Sequence, residues 1–256
     1  MALREELGEG VLTLTLDRPE ALNALDRELK TGLLAAFRRA GRTADVRAVV
    51  LTGAGRAFCA GQDLGEADVI GTGIGAEVRE RYVPLILAMR RLDKPIVAAI
   101  NGVAAGAGLS LALACDLRLA AQTATFACAF GRIGLVPDSG LSWFLPRLVG
   151  TGWAARLVLA GESIDAPTAE RIGLVEWLVP AARLAEEAHD LAARLAAGAP
   201  LAQSLAKRSL AFAATADLGA ALEFEAQAQT AAARSDDFAE GLAAFRAKRA
   251  PRFGGH

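Results

Sequence analysis

The sequence predicts an α/β fold, on three observations. Strand-like apolar stretches alternate with amphipathic helical ones through the first half of the chain, and glycine-containing turns follow strand-like stretches at residues 58–64 and 101–108. Beyond about residue 139 the apolar spacing becomes almost wholly helical. Alternation of this kind argues for parallel βαβ units whose sites open at the strand ends.

The elements follow in order. Residues 10–16 alternate as a half-buried strand, and the turn formers Asp17, Arg18, Pro19 and Glu20 end it. A helix capped by Asp26 follows, with Leu29, Leu33, Leu34 and Phe37 on one face before Gly41. Residues 46–52 form another apolar strand, broken by Gly53-Ala54-Gly55, and residues 65–76, with Gly65, Gly71, Gly73 and Gly75, read as a mobile loop beside a site or as a plain linker. A helix over 79–92, a strand over 95–100, a glycine-rich turn, a helix over 109–115 and a short strand from Leu117 complete this half. Helical spacing then recurs at 141–149, 152–160, 166–172, 181–197, 201–214, 217–234 and 236–248, and only residues 174–179 read as strand. The expected division is an α/β core over 1–195 and a helical region over 196–256, with no internal repeat. That region carries Ala on several faces, as in Ala211-Phe212-Ala213-Ala214, which implies packing against an oligomer partner or back onto its own core.

Composition narrows the function. With 53% hydrophobic and 22% charged residues over 256 positions, neither disorder nor a disulfide-stapled miniprotein fits. Twenty-eight basic residues balance 29 acidic ones, so no global field draws in nucleic acid or anionic lipid. Cys59, Cys115 and Cys128 are odd in number and lack C-x-x-C spacing, which argues against a disulfide framework or a zinc site and for a reducing compartment. The acidic start at Glu5-Glu6 does not read as a signal peptide, so the cytoplasm is expected. Residues 96–115 are uncharged, long enough to span a bilayer, but Asn101-Gly102, Gly106 and Gly108 interrupt them and Asp116-Leu117-Arg118 closes them. A buried strand, a turn and a buried helix fit better than a membrane span.

His189 and His256 are the only histidines and fall in segments that read as a surface helix and a chain end, which disfavours a Ser-His-Asp triad, a Cys-His pair and a histidine-rich metal site. Dinucleotide and P-loop fingerprints fail too, since Gly106-Ala107-Gly108 runs into Leu109-Ser110-Leu111 and no Gly-Lys-Ser occurs. Chemistry must rest on carboxylates and backbone dipoles. Each glycine-containing turn can aim backbone N–H groups at a ligand, and the second opens a helix whose first N–H groups lack intrahelical acceptors. Two such donors make an oxyanion hole, although glycines there also serve tight turns and close packing. By pattern alone, Asp138 reads as the N-cap of the helix beginning near Leu141.

Four motifs in order, Phe58-Cys59-Ala60-Gly61-Gln62-Asp63-Leu64, Lys94-Pro95-Ile96-Val97-Ala98-Ala99-Ile100-Asn101-Gly102, Gly106-Ala107-Gly108 and Ile133-Gly134-Leu135-Val136-Pro137-Asp138, resemble the crotonase family, also called enoyl-CoA hydratase/isomerase. The resemblance covers about residues 5 to 253. It implies a spiral of ββα turns, a helical C-terminal region that mediates trimers or hexamers and covers the site, and an acyl-CoA thioester substrate. No cofactor or metal is then expected beyond the coenzyme A of the substrate itself, and neither nucleic acid nor a membrane is an expected partner. By the same resemblance, the N–H groups of Gln62 and Ala107 would hold the thioester oxygen and the carbonyl of Ala60 would meet the adenine. Asn23 and Ala24 in the early loop, with Gly61, Asp63, Leu64, Gly106 and Phe130, would contact CoA or the acyl group.

The departures from the family pattern select a subclass. The family's hydratases use two glutamates, at positions that align with Ser110 and Phe130, and neither of these can act as acid or base near neutral pH. A carboxylate stands instead at Asp138, where the family's isomerases carry their catalytic aspartate. The combination looks most like the branch that isomerises the ring epoxide of phenylacetyl-CoA in phenylacetate degradation and also shifts double bonds in unsaturated acyl-CoAs. The runner-up is an enoyl-CoA hydratase with an unusual carboxylate arrangement. A third reading, a non-catalytic RNA- or partner-binding scaffold, rests on the basic end Arg246-Ala247-Lys248-Arg249-Ala250-Pro251-Arg252. The acyl pocket would be lined by apolar residues such as Leu64, Val69, Ile70, Phe130, Ile133 and Leu135, which leave the acyl group unspecified.

Overall fold

Glu9 and Gly10 both take positive φ, 51° and 77°, the left-handed pair that a two-residue hairpin turn needs. They join β1 (Leu3–Gly8) to β2 (Val11–Leu16) in antiparallel register, Leu3 opposite Leu16 and Gly8 opposite Val11. The sequence reading missed β1, because Arg4, Glu5 and Glu6 face solvent at a sheet edge and leave no apolar alternation. The computed structural model describes residues 2–65 and 73–255. Of the loop expected over 65–76, the stretch 66–72, with Val69, Ile70 and Gly71, lies outside the described residues, as does His256.

Beyond the hairpin the chain winds in repeated passes. Each pass lays one strand in a large sheet, a short strand in a second sheet, and then a helical segment. The large sheet runs β1-β2-β3-β5-β7-β10, with β3 (Ala48–Gly53), β5 (Ile96–Ile100), β7 (Leu117–Ala121) and β10 (Trp177–Val179) all parallel to β2. The small sheet runs β4-β6-β8-β9, with β4 (Ala57–Cys59), β6 (Val103–Ala105) and β8 (Thr125–Ala127) parallel and β9 (Ser163–Asp165) antiparallel to β8. This is the spiral of ββα turns. The four strands of the small sheet were not legible in sequence, since three residues are too few to show a period of two.

Helix α1 (Arg27–Arg42) is capped as its sequence indicates, the Asp26 carboxylate accepting from Leu29 N at 2.7 Å. It buries Leu29, Leu33, Ala36 and Phe37 in the main core. A helical segment follows the undescribed stretch: α2 (Ile74–Glu77), a π-helical turn (Val78–Tyr82) and α3 (Val83–Arg91). Helix α4 (Ala107–Ala114) has every residue buried, which explains the long uncharged run without a membrane. Among the described residues no helix is long and apolar enough to cross one.

Helix α5 (Leu141–Leu159) is broken at Gly150, where φ 77° and ψ 164° separate the two helical stretches expected there. Its N-cap is Gly140, not Asp138: only the Asp138 backbone oxygen takes part, accepting from Leu141 N at 2.9 Å, so the N-cap reading of the aspartate is corrected. After the short α6 (Ala166–Arg171), helix α7 (Leu184–Ala196) closes the other face of the large sheet, its Ala188 and Ala192 against Val11, Ala48, Val50 and Val97.

Helices α8 (Pro200–Ala213), α9 (Leu218–Ala232) and α10 (Asp236–Ala247) bury little: α8 only Ser204, α9 nothing, α10 only Asp237 and Ala244. Leu210, Leu218, Leu222 and Phe245 stand exposed on them. The chain end does fold back, because Asp237 accepts from Gly254 N (2.8 Å) and Gly255 N (3.1 Å), and Arg47 donates to the carbonyls of Phe253 and Gly198.

Candidate active site

A pocket of about 390 Å³ opens where the second sheet meets α4, and its described lining comes wholly from residues 60–138. It brings together most of the positions singled out in sequence: Ala60, Gly61, Gln62, Leu64, Gly106, Ala107, Phe130, Ile133, Leu135 and Asp138. Helices α8 to α10 contribute no lining residue within the single chain.

The two turns are arranged by backbone hydrogen bonds. Leu25 N donates to Gly61 O at 2.7 Å and Asp63 N to Leu25 O at 3.1 Å, a bridge that holds the chain just after β4. In a trans peptide the C=O and N–H point in opposite directions, so fixing Gly61 O toward Leu25 turns the Gln62 N–H away from Leu25. Ala107 is the first residue of α4, where no intrahelical acceptor exists for its N–H. Gly61, at φ 105°, packs so closely that a Cβ there would stand 3.4 Å from Ala107 N. Gly108 is tighter still, since a Cβ would meet Cys59 O at 2.2 Å. The packing reading of the glycines is met at both turns: the close approach of α4 to the end of β4 brings Gln62 and Ala107 into the lining of one pocket.

Asp138 joins the lining from a later stretch of chain, on the turn between a 3-10 segment (Ala129–Ile133) and α5. Ser139 behind it takes a left-handed φ of 53° and donates its hydroxyl to Asp138 Oδ1 at 2.8 Å. Burial pushes the carboxyl above its ordinary 3.8, against the opposing pull of the Ser139 hydrogen bond and the Lys30 charge. A carboxyl whose pKa is raised by burial in a largely apolar pocket suits proton transfer.

Of the two positions aligned with the hydratase glutamates, only Phe130 lines the pocket, and neither brings an acid or base group. Ser110 is fully buried, its hydroxyl 3.3 Å from Gly106 O and 3.1 Å from Asp138 O, and Phe130 packs its ring into the pocket wall.

The early loop is placed differently from the expectation. Asn23 is fully buried: its Nδ2 donates to Ala54 O (2.9 Å) and Ala57 O (2.8 Å), and its Oδ1 accepts from Arg18 N (2.9 Å). It builds the loop instead of presenting a surface to a ligand. Ala24 gives its carbonyl to Arg18 (2.7 Å), and Asp63 pairs with the same guanidinium at 2.9 Å, which holds its carboxyl below the ordinary range. Neither residue lines the pocket.

Sequence reasoning missed Glu77, Tyr82 and, beneath them, Lys30. The π-helical turn sets Glu77, Val78 and Tyr82 along the pocket. Lys30, with a fully buried side chain on the apolar face of α1, pairs with Glu77, which Arg81 also holds at 2.9 Å. These two cations keep the Glu77 carboxyl below its usual range although burial opposes them. A lysine within an apolar helical face was the available signal. Among the described residues no cluster of three or more His, Cys, Asp or Glu is placed to hold a metal.

Comparison with known proteins gives a consistent result. The family model described as enoyl-CoA hydratase/isomerase matches residues 6–256. A Rhodobacter capsulatus protein named "probable enoyl-CoA hydratase" is 44% identical over 253 residues, spanning 99% of this chain and 98% of its own. The 1,2-epoxyphenylacetyl-CoA isomerase of Escherichia coli is 42% identical over 251 residues, 96% of each chain. The crystal structure of an enoyl-CoA hydratase from Bacillus anthracis superposes with a TM-score of 0.94 at 35% identity, covering 100% of both chains.

Proposed function

The chain belongs to the enoyl-CoA hydratase/isomerase family, and from that premise we propose that it is an acyl-CoA isomerase in which Asp138 carries a proton between two carbons of the acyl chain. The observation that carries this reading is the pocket lining itself, which brings the half-buried Asp138 carboxyl together with Gln62 and Ala107.

In a β,γ-unsaturated acyl-CoA, the Asp138 carboxylate takes a proton from the carbon next to the thioester. The electron pair moves onto the carbonyl oxygen through the extended enolate, and the N–H groups of Gln62 and Ala107 hold that charge. Collapse of the enolate takes the same proton back at the γ carbon, leaving an α,β double bond and the carboxylate restored. Each preorganised donor contributes roughly 3 to 4 kcal/mol to such an enolate. The single base suffices because the reaction neither gains nor loses atoms. No cofactor is needed, coenzyme A being part of the substrate.

The finer substrate we assign is the ring epoxide of phenylacetyl-CoA, which opens to an oxepin in the same pocket. Its support is the isomerase relative together with the apolar wall of Phe130, Ile133 and Leu135. The exposed apolar faces of α8 to α10 support a trimer or a dimer of trimers as the working assembly. We place the enzyme in the cytoplasm, from its reduced cysteines and its family.

Hydration is the second reading, favoured by Glu77, a second carboxylate on the pocket wall, and by the hydratase names of relatives. Within the basic end that motivates the scaffold reading, Arg249 is engaged in a two-point ion pair with Glu240 (2.6 and 2.8 Å). Purified protein given a β,γ-unsaturated acyl-CoA and crotonyl-CoA side by side, with products weighed by mass spectrometry, tests the assignment. A product of unchanged mass with a moved double bond supports isomerisation, and a gain of one water overturns it in favour of hydration.

A further inference from the structure

The side chain of Gln62 is not idle beside its backbone donor. Its Oε1 accepts two hydrogen bonds, from Lys30 Nζ at 2.9 Å and from Tyr82 Oη at 2.5 Å, while its Nε2 donates to Asp63 O at 3.0 Å. Both donors to Oε1 are themselves immobilised. Lys30 is packed within α1, ion-paired to Glu77 and seated 5.1 Å from the centre of the Tyr82 ring, and Tyr82 is buried where the π-helical turn meets α3.

We propose that Lys30 and Tyr82 are positioning residues, which clamp the Gln62 side chain and thereby fix the direction of the Gln62 N–H in the oxyanion hole. The proposal rests on the isomerase reading above only in taking that N–H as a donor to the thioester oxygen.

Three observations support it. First, the backbone around the Gly61–Gln62 peptide is held through Leu25, whose N–H donates to Gly61 O and whose carbonyl accepts from Asp63 N, and the peptide is flanked on one side by a glycine at φ 105°, a residue of wide backbone freedom. The side-chain bonds at Gln62 itself add a further restraint from another direction. Second, the clamp joins the buried Lys30 and Tyr82 to the half-buried Gln62, and its Lys30 bond is charge-assisted, a setting that strengthens and directs hydrogen bonds. Third, stability alone does not account for Lys30. Burying an ammonium costs several kcal/mol before pairing, and apolar residues of similar volume usually replace such a pair without loss. An ammonium kept among Leu29, Leu33 and the sheet is better accounted for by the geometry that it enforces.

The test uses a thioester that cannot react, [1-13C]phenylacetyl-CoA, bound to the full-length protein, with the labelled C=O stretch read by difference infrared spectroscopy. In the native protein the stretch falls below that of the free thioester. In Tyr82→Phe, which deletes one oxygen and keeps the ring, and in Gln62→Leu, half or more of that downshift is lost. In turnover, kcat falls about tenfold, the factor that 1.36 kcal/mol of barrier represents, while KM stays within about twofold. Folded variants that keep the full downshift and kcat overturn the clamp and leave the oxyanion hole standing. Absence of any downshift in the native protein overturns the oxyanion hole itself, and the clamp with it. Should Gln62→Leu not fold, Tyr82→Phe decides the matter alone.

Discussion

The hydroxyl of Ser110 lies 3.1 Å from the backbone oxygen of Asp138, so a residue that cannot carry a proton props the loop of the one placed to do so. Both sit on elements that converge only in the folded protein, Ser110 on α4 and Asp138 before α5. Leu141 N also donates to the Asp138 oxygen, so Ser110→Ala leaves that carbonyl paired. The expected cost is about 1 kcal/mol of stability with a several-fold fall in kcat and little change in KM, measured by urea unfolding and steady-state kinetics.

Asp138→Asn is expected to lower isomerase turnover by about 10² to 10⁴, the usual range for a lost general base. Stability moves the other way. Because burial raises the folded-state pKa above the unfolded value near 3.8, the favourable contribution of this group is complete below 3.8 and is lost as pH rises through the folded value. Above that folded value the native protein carries a half-buried charge that the amide does not, and Asp138→Asn is expected to melt no lower than the native protein there. A folded variant with native turnover would remove Asp138 from the mechanism.

The pH profile follows from the same shift. Asp138 must be ionised to take a proton, so kcat/KM rises with pH along an acid limb whose midpoint lies above 3.8. The Lys30 charge works against the shift, so Lys30→Met is expected to move the limb to still higher pH. A limb that stays in place would mean that Lys30 does not act on Asp138 electrostatically.

Gly108→Ala tests the approach of α4 to β4. With Cys59 O at 2.2 Å from the added carbon, the helix must retreat or the strand end must shift, at a cost of about 1 to 3 kcal/mol. Since Gln62 follows that strand end, turnover is expected to fall further than stability alone explains, which denaturant titration and kinetics at saturating substrate will separate.

Asp26→Ala removes the cap of α1 and its 3.1 Å ion pair with Arg18. About 1 kcal/mol of stability is expected to go. Because Lys30 lies in the second turn of the same helix, amide exchange should quicken at residues 29–31 before it does at the distal end of α1.

Residue types at short spacing write the local features. The alternation of strand and helix, the Asp26 cap, the break at Gly150 and the two glycine-containing turns are legible there, while Asp138 stands out from Ser110 and Phe130 as the candidate proton carrier only through the family resemblance. The tertiary structure decided the rest. Strands of three residues such as β8 and β9 exist only because Phe126 finds Ile164 some forty residues on, and long-range pairing of that kind leaves no local period. Asn23 has the chemistry of a ligand contact, yet three hydrogen bonds turn it inward. Lys30 and the Glu77–Tyr82 segment lie on separate stretches of chain, and their meaning as a set arises where α1 packs against the π-helical turn beside Gln62. A buried charge takes its role from its partners, and only folding brings those partners within reach.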